Sequence, residues 1–459
     1  MSLFGTDGVR GVANRDVTAE LAYQIGQAAG RYLQSKNDLP HRVVMGRDTR
    51  ISGAMLGAAV AAGLCSEGIE TVACGVLPTG GISRIAKTGD YGLGVVISAS
   101  HNPAADNGIK LMSHQGTKLP EEVEATIESL MGPATEDRPL GGDVGRLITS
   151  RDEVEGYMDW LVSLVPERLE GMKIAIDAAH GAAYELGIEV FKRLGAEVIS
   201  TGTEPDGMNI NAEGGATKPQ TIQDLTQSTN ADLGVSYDGD ADRAVFSDSQ
   251  GRLINGDRTM AIWCAHWQSQ GQFNPAVVVG TVMSNGGFET YLKSQGIQLE
   301  RAKVGDKYVA AKMRELNGLV GGEQSGHLIF SQYAPTGDGL LTALQMARVL
   351  KRENRTAADA FGDFENWPQM LINVQIHRRE GWDDNQQVQD VLKWAEERLG
   401  DHGRINVRPS GTQPMIRVMV EADSGDLRDE VVNKVADTMT DALGGSIYSR
   451  VDLTHALGD

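Results

Sequence analysis

The segment Ser98-Ala99-Ser100-His101-Asn102-Pro103 sets two serines beside a histidine, directly after the apolar run 92–98. A serine next to a basic residue in a strand-end loop can act as a nucleophile, although Asn-Pro is equally a turn signal. Asn107-Gly108-Ile109-Lys110 then brings a lysine within reach of the same loop. Farther on, Asp238-Gly239-Asp240-Ala241-Asp242-Arg243 places three carboxylates at alternate positions with an arginine at their end. Carboxylates so crowded repel one another unless a cation sits among them. Oxygen ligands of this kind suit a hard divalent ion, and the arginine can meet a phosphate oxygen. A calcium EF-hand loop is excluded, because it needs glycine and glutamate where this chain has Arg243 and Ser249. Gly321-Gly322-Glu323-Gln324-Ser325-Gly326-His327 lets backbone approach a ligand and offers Glu323 and Ser325 to hydroxyl groups. Arg408-Pro409-Ser410-Gly411-Thr412, with Arg417 beyond it, forms a compact anion cradle. Gly5-Thr6-Asp7-Gly8-Val9-Arg10-Gly11 frames a further arginine, and Gly305-Asp306-Lys307-Tyr308 is a weaker signal of that type. Each segment alone is compatible with a structural turn. Together they supply a nucleophile, a cation cage, a hydroxyl-reading loop and an anion cradle, the parts needed to move a phosphoryl group within a phosphorylated sugar.

The elements that must position these loops are legible from periodicity. Residues 18–35 read as a helix with Leu21, Ile25, Ala28, Ala29 and Tyr32 on one face and Thr18 as N-cap. Residues 42–46 read as a strand, 53–67 as a helix, 69–74 as a strand and 92–98 as a buried strand. The pattern restarts with a strand at 173–177, a helix at 184–194 and a strand at 232–237. It restarts again with a helix from 256 and a strand at 276–280, and 319–321 opens another polar loop. Alternation of this kind implies mainly parallel sheets, with ligands at the carboxyl ends of the strands. From about Pro368 the character changes to α+β, with strands at 370–376 and 415–421 and helices at 384–398 and 427–443. Residues 137–145 and 354–368 read as connections.

A chain of 459 residues is long enough for three or four domains. Its formal charge of −20 argues against a nucleic-acid partner and makes any local cluster of arginine and lysine informative. There is no apolar run of membrane-spanning length and no signal-peptide pattern. Cys65, Cys74 and Cys264 form no C-x-x-C pair, which fits a reduced, cytoplasmic setting.

In its motifs and their order, Phe4 to Gly11, Ile97 to Pro103, Asp238 to Arg243, Gly322 to His327 and the Arg408 loop, the sequence closely resembles the α-D-phosphohexomutase family over nearly the whole chain. It is most similar to the branch acting on glucosamine phosphates. The resemblance implies three consecutive α/β domains with mixed, mainly parallel sheets plus a smaller C-terminal α+β domain around a central cleft. Residues 1–150 would carry a phosphoserine loop, 151–255 a metal-binding loop, 256–366 a sugar-binding loop and 367–459 a phosphate-binding loop. By that resemblance Ser100, and not Ser98, carries the phosphate. Asp238, Asp240, Asp242 and the Ser100 phosphate would hold one Mg²⁺, while Arg10 and Arg243 offset charge on the transferring group.

Glu323, Ser325, His327 and Lys307 would contact the sugar phosphate, and Arg408, Ser410, Gly411, Thr412 and Arg417 the phosphate that is not reacting. The expected activity is interconversion of glucosamine 6-phosphate and glucosamine 1-phosphate through a glucosamine 1,6-bisphosphate intermediate, feeding UDP-N-acetylglucosamine and cell-wall precursor synthesis. The alternative is a phosphomannomutase or phosphoglucomutase. Lys110 and His101 flank the nucleophile and are the preferred bases for the sugar hydroxyl proton, with His327 as the third. The expected partner is a small sugar phosphate, with neither nucleic acid nor membrane, and the expected state is monomer or homodimer. One departure from the family pattern is Gln413, where glutamate is usual.

Overall fold

Thr18 opens the first helix, its side chain accepting from the Leu21 amide, and Ala19–Gln34 buries Ala22, Ile25, Ala28, Ala29 and Leu33. The helix Ile51–Ser66 crosses it at two glycines. A Cβ on Gly26 would lie 2.3 Å from the Val60 carbonyl oxygen, and one on Gly63 2.3 Å from that of Tyr23. Only glycine permits so close an approach. The computed structural model describes residues 3–5, 7–132, 138–377, 381–410, 414–455 and 457.

The described chain divides into two units. The larger runs to Val282 and resumes over Glu300–Phe361. It contains a sheet in the order Val9–Val12, Asp106–Ser113, Leu93–Ile97, Arg42–Arg47, Glu70–Val76, Leu147–Thr149. The four strands from Leu93–Ile97 onward are parallel, and Asp106–Ser113 is antiparallel to both its neighbours. A second sheet runs Leu253–Ile254, Ala244–Ser247, Leu233–Tyr237, Lys173–Asp177, Glu197–Thr201, with its last three strands parallel. In a third, Val320–Gly322 pairs parallel with Val277–Thr281 and antiparallel with Leu328–Phe330.

One device recurs in all three sheets. A buried parallel strand ends in the loop that carries the functional side chains, and the chain returns as an antiparallel strand. Leu93–Ile97 returns as Asp106–Ser113, Leu233–Tyr237 as Ala244–Ser247, and Val320–Gly322 as Leu328–Phe330. The helix–strand alternation read from the sequence anticipates the parallel strands but not these returns.

The second unit comprises Met283–Leu299 and the chain from Gly362. Its sheet is antiparallel throughout, in the order Gly403–Pro409, Met415–Ala422, Gln369–Gln375, Ser446–Asp452. The helices Gln386–Leu399 and Gly425–Leu443 cover one face over a core of Ile372, Val374, Ile416, Val418, Val431 and Val435. Two connections differ from expectation. Residues 354–368 contain the helix Ala357–Phe361, and 137–145 contain a short 3-10 turn at Gly141–Asp143, Asp137 lying outside the described residues.

Glu421 is buried in this unit and accepts hydrogen bonds from the Gly286 amide at 2.7 Å, Arg404 Nε at 3.0 Å and Asn285 Nδ2 at 3.1 Å. A carboxylate at the start of helix Gly286–Ser294 also meets the positive end of its dipole. Glu421→Ala is expected to destabilise this unit by about 3–5 kcal/mol, the cost of breaking a buried pair. Denaturant unfolding of the variant against the parent chain measures it.

Candidate active site

The Ser100 loop is held from beneath by a chain of buried polar contacts. The Ser100 amide donates to Ser98 Oγ at 2.9 Å, and the Ser98 hydroxyl donates to Asp48 Oδ2 at 2.6 Å. Asp48 accepts from Arg50 Nε at 2.8 Å and from the Arg50 amide at 2.9 Å. The Arg50 guanidinium, fully buried, donates to the carbonyls of Ser100 and Asn102, each at 2.8 Å, to Asp106 at 3.0 Å and to Pro103. Asn211 Nδ2 adds donors to the Ser100 and Asn102 carbonyls at 2.9 and 3.2 Å. These contacts fix Ser100 at φ +52°, a left-handed conformation that non-glycine residues adopt only when held there.

The Ser100 hydroxyl donates to Asp238 Oδ2 at 2.6 Å. Gly239 makes that approach possible, since a Cβ there would stand 2.5 Å from the Ser100 carbonyl oxygen. Asp238, Asp240 and Asp242 are all buried, and each offers an oxygen within 4.8 Å of the others. Lys110 Nζ and Thr79 Oγ1 both donate to Asp240 Oδ2 at 2.8 Å. Asp240 Oδ1 and Asp242 Oδ1 are buried without any hydrogen-bond partner. Burial and the Asp242 and Asp240 charges push the Asp238 carboxyl well above its usual range. Burial opposes ionisation of Asp240 as well, but Lys110 outweighs it and holds that carboxyl low. Two orphaned oxygens in an acidic, buried trio fit a hard divalent cation.

Sheet register brings the cations to this cage. Lys110 lies opposite Val96 and Arg10 opposite Gly108, so both sit beside the Ser100 loop. Burial disfavours the charged form of Lys110, yet Asp240, Asp7 and Asp242 raise its pKa, so it stays protonated. Arg10 pairs with Asp7, and Lys110 Nζ is 3.8 Å from Asp7 Oδ2. The Nε atoms of Arg10 and Arg243 are buried with no hydrogen-bond partner. Burial and the charges of Arg243 and Arg10 hold the His101 imidazole below its ordinary pKa, and its Nδ1 is also buried without a partner.

From the third sheet, His327 Nε2 lies 4.0 Å from Asp242 Oδ2 and 3.7 Å from Asp306 Oδ2. Glu323 and the half-buried Ser325 occupy the same hairpin loop, with Glu323 Oε1 accepting from the Gly305 amide at 2.8 Å. Lys307 Nζ pairs with Glu121 at 2.6 Å, and Lys307 lines one cavity with Asp7, Lys110 and Lys118. Its neighbour Asp306 lies 3.7 Å from His327. Arg408, Ser410 and Arg417 belong to the second unit, where Arg408 and Arg417 are directly opposed across paired strands, an arrangement that favours an anion beside them. Gly411, Thr412 and Gln413 lie outside the described residues.

The chain matches four successive domains of one family, phosphoglucomutase/phosphomannomutase: alpha/beta/alpha domain I over residues 1–138, domain II over 155–251, domain III over 255–366 and the C-terminal domain over 371–438. It belongs to the phosphoglucomutase/phosphomannomutase family. A phosphoglucosamine mutase of Syntrophomonas wolfei is 43% identical over 443 residues, 95% of this chain and 98% of the relative. One of Symbiobacterium thermophilum is 46% identical over 422 residues, 91% of this chain and 94% of the relative. The fold is shared with the crystal structure of a phosphoglucomutase/phosphomannomutase family protein from Burkholderia thailandensis, with TM-score 0.80 and 23% identity over 97% of this chain and 99% of that one.

Several residues placed at the site of this family member were not singled out by sequence reasoning: Asp48, Arg50, Thr79, Asn211 and Lys118, with Asp306 named only as part of the Gly305–Tyr308 segment. Asp48-Thr49-Arg50 directly follows strand Arg42–Arg47, so the strand-end rule that flagged the other loops would have found it. Arg50→Lys keeps the charge but not the span to four carbonyls. It is expected to lower kcat at least about tenfold while changing KM for the sugar less. Steady-state kinetics, with circular dichroism to confirm folding, measures the split.

Proposed function

We propose that this chain interconverts glucosamine 6-phosphate and glucosamine 1-phosphate through a phosphoserine at Ser100 and a bound 1,6-bisphosphate. The observation that carries the proposal is the Ser100 hydroxyl 2.6 Å from Asp238 within the buried aspartate trio. That juxtaposition suits an oxygen that carries a phosphoryl group beside a cation. Its full-length similarity to phosphoglucosamine mutases supports the amino-sugar substrate. Asp238, Asp240, Asp242 and a phosphoryl oxygen on Ser100 would hold Mg²⁺, which when bound draws charge from the phosphoryl oxygens.

In the first half-reaction the Ser100 Oγ–P bond breaks as a bond forms between phosphorus and O1 of glucosamine 6-phosphate. The proton of the 1-hydroxyl passes to a base, and the departing Ser100 oxygen takes up a proton to become a hydroxyl. In the second, the O6–P bond of the bisphosphate breaks, Ser100 Oγ gives up that proton as it regains a phosphoryl group, and O6 takes the proton held by the base. Lys110 is engaged with Asp240 at 2.8 Å and supplies positive charge, whereas His101 keeps Nδ1 without a partner and is assigned the proton. Arg10, Arg243 and Lys110 offset the charge that spreads over the phosphoryl oxygens, where catalysis of this transfer mostly lies. Glu323, Ser325 and His327 are assigned to the sugar, and Arg408, Ser410, Gly411, Thr412 and Arg417 to the non-reacting phosphate.

The free state of all three cysteines supports a reduced, cytoplasmic setting. No helix among the described residues is long and apolar enough to cross a membrane. The product would serve UDP-N-acetylglucosamine and cell-wall precursor synthesis.

Intact mass of the purified protein should show a phosphorylated fraction that disappears in Ser100→Ala, with kcat lowered at least about 10⁴-fold. Phosphate found only at another residue would overturn the assignment. Chelation should abolish turnover and added Mg²⁺ restore it. Among the 6-phosphates of glucosamine, glucose and mannose, kcat/KM should be highest for glucosamine, and a preference for mannose would refute the substrate choice.

A further inference from the structure

A site that prefers an amino sugar must tell a 2-ammonium from a 2-hydroxyl on otherwise similar rings. The chemistry for that is an ionised, acceptor-only group with unspent lone pairs, placed near the reacting centre but off the cation cage. Asp7 is spent on Arg10, on Lys118 at 2.5 Å and on Lys110 at 3.8 Å. Asp238, Asp240 and Asp242 face one another around the cage. Glu323 accepts from the Gly305 amide and is assigned to the sugar hydroxyls, which leaves Asp306, at the start of helix Asp306–Leu316.

Asp306 Oδ1 accepts from the Lys307 amide at 2.8 Å, and Oδ2 pairs with Lys118 Nζ at 2.7 Å. A carboxylate can accept about four hydrogen bonds, so capacity remains on both oxygens. Lys118 is shared between Asp306 and Asp7, so Asp306 does not hold that ammonium alone. The Asp306 side chain keeps 18% of its surface exposed. His327 stands between it and the cage, 3.7 Å from Asp306 and 4.0 Å from Asp242. Burial opposes ionisation of Asp306, but His327 and Lys118 outweigh it and keep the carboxyl below its usual range.

We infer that Asp306 receives the 2-ammonium of the substrate and so sets the preference for glucosamine phosphates over glucose phosphates, an inference that rests on the glucosamine reading above. Lys118 orients the carboxylate through one oxygen and leaves the rest of its acceptor capacity to the sugar. Glu323, whose assigned role is to read hydroxyl groups common to both sugars, does not discriminate between them.

The test is the ratio of kcat/KM for glucosamine 6-phosphate to that for glucose 6-phosphate in the parent enzyme, Asp306→Asn, Asp306→Glu and Glu323→Gln. Asp306→Asn should lower the ratio about 10- to 100-fold, the loss of one charge-assisted hydrogen bond. Asp306→Glu should recover part of it. Glu323→Gln should weaken both sugars and leave the ratio near that of the parent. A ratio unchanged in Asp306→Asn, or equal losses on both sugars, would overturn the inference and leave Asp306 a purely structural partner of Lys118. A parent enzyme that does not prefer glucosamine would overturn the functional reading, and this inference with it. A general disturbance of folding divides out of the ratio, so the outcome does not depend on undiminished stability.

Discussion

Three carboxylates buried within 4.8 Å of one another are the constraint around which the larger unit is arranged. At an effective dielectric of 20, two unit charges at that separation repel by about 3–4 kcal/mol. Lys110, 2.8 Å from Asp240 and 4.0 Å from Asp242, offsets part of this repulsion. The remainder is met by the raised affinity of Asp238 for a proton, by the Ser100 and Thr79 hydroxyls, and by the Arg243 charge. Two oxygens still have no partner. A cage balanced in this way without a metal is a poor resting place for charge and a good one for a divalent cation.

The recurrent strand–loop–return device explains why the charges that answer this constraint come from distant parts of the sequence. An antiparallel return has its register fixed by the strand it leaves, so residues on it stand at set distances from the loop. Lys110 reaches Asp240 because Asp106–Ser113 returns along Leu93–Ile97 with Lys110 opposite Val96. Arg10 is brought in by pairing Val9–Val12 on the far side of the same return strand. His327 closes the hairpin between Val320–Gly322 and Leu328–Phe330 and so approaches Asp242. A parallel sheet with helical crossovers alone would present loops at strand ends but would not fix these side chains beside them.

The sequence made the parallel strands and their loops legible because buried strands are continuous apolar runs, and Leu93–Ile97 and Leu233–Tyr237 are buried at every position. Two of the returns, Ala244–Ser247 and Leu328–Phe330, are short and polar-flanked and carry too little periodicity to be read. Ser100, the aspartates, Lys110 and His327 were found because each lies in or next to a distinctive local motif. Arg50 was not, although it stands just past a strand end, because its role depends on carbonyls some fifty positions away. Asp306 was passed over for a simpler cause. Successive helical residues point about 100° apart, and the sequence does not say that Asp306, beside Lys307, faces His327.

The two serines of the loop illustrate how far geometry can go where sequence stops. Ser98 and Ser100 are alike in type and two positions apart, and resemblance alone favoured Ser100. In the structure Ser98 has no exposed surface, donates its hydroxyl to Asp48 and accepts from the Ser100 amide, so its oxygen is committed on both sides. Ser100 makes its side-chain contact with a cage carboxylate instead, and its φ of +52° turns it out of the strand direction toward the aspartates. A phosphoryl group on Ser98 would displace the Asp48 contact and with it the Arg50 clamp on four carbonyls. On Ser100 it would displace only the hydrogen bond to Asp238 and set anionic oxygens where a cation is wanted. The strain at Ser100 and the burial of Arg50 are therefore two sides of one arrangement, in which Ser98 is held fixed so that Ser100 is free to react.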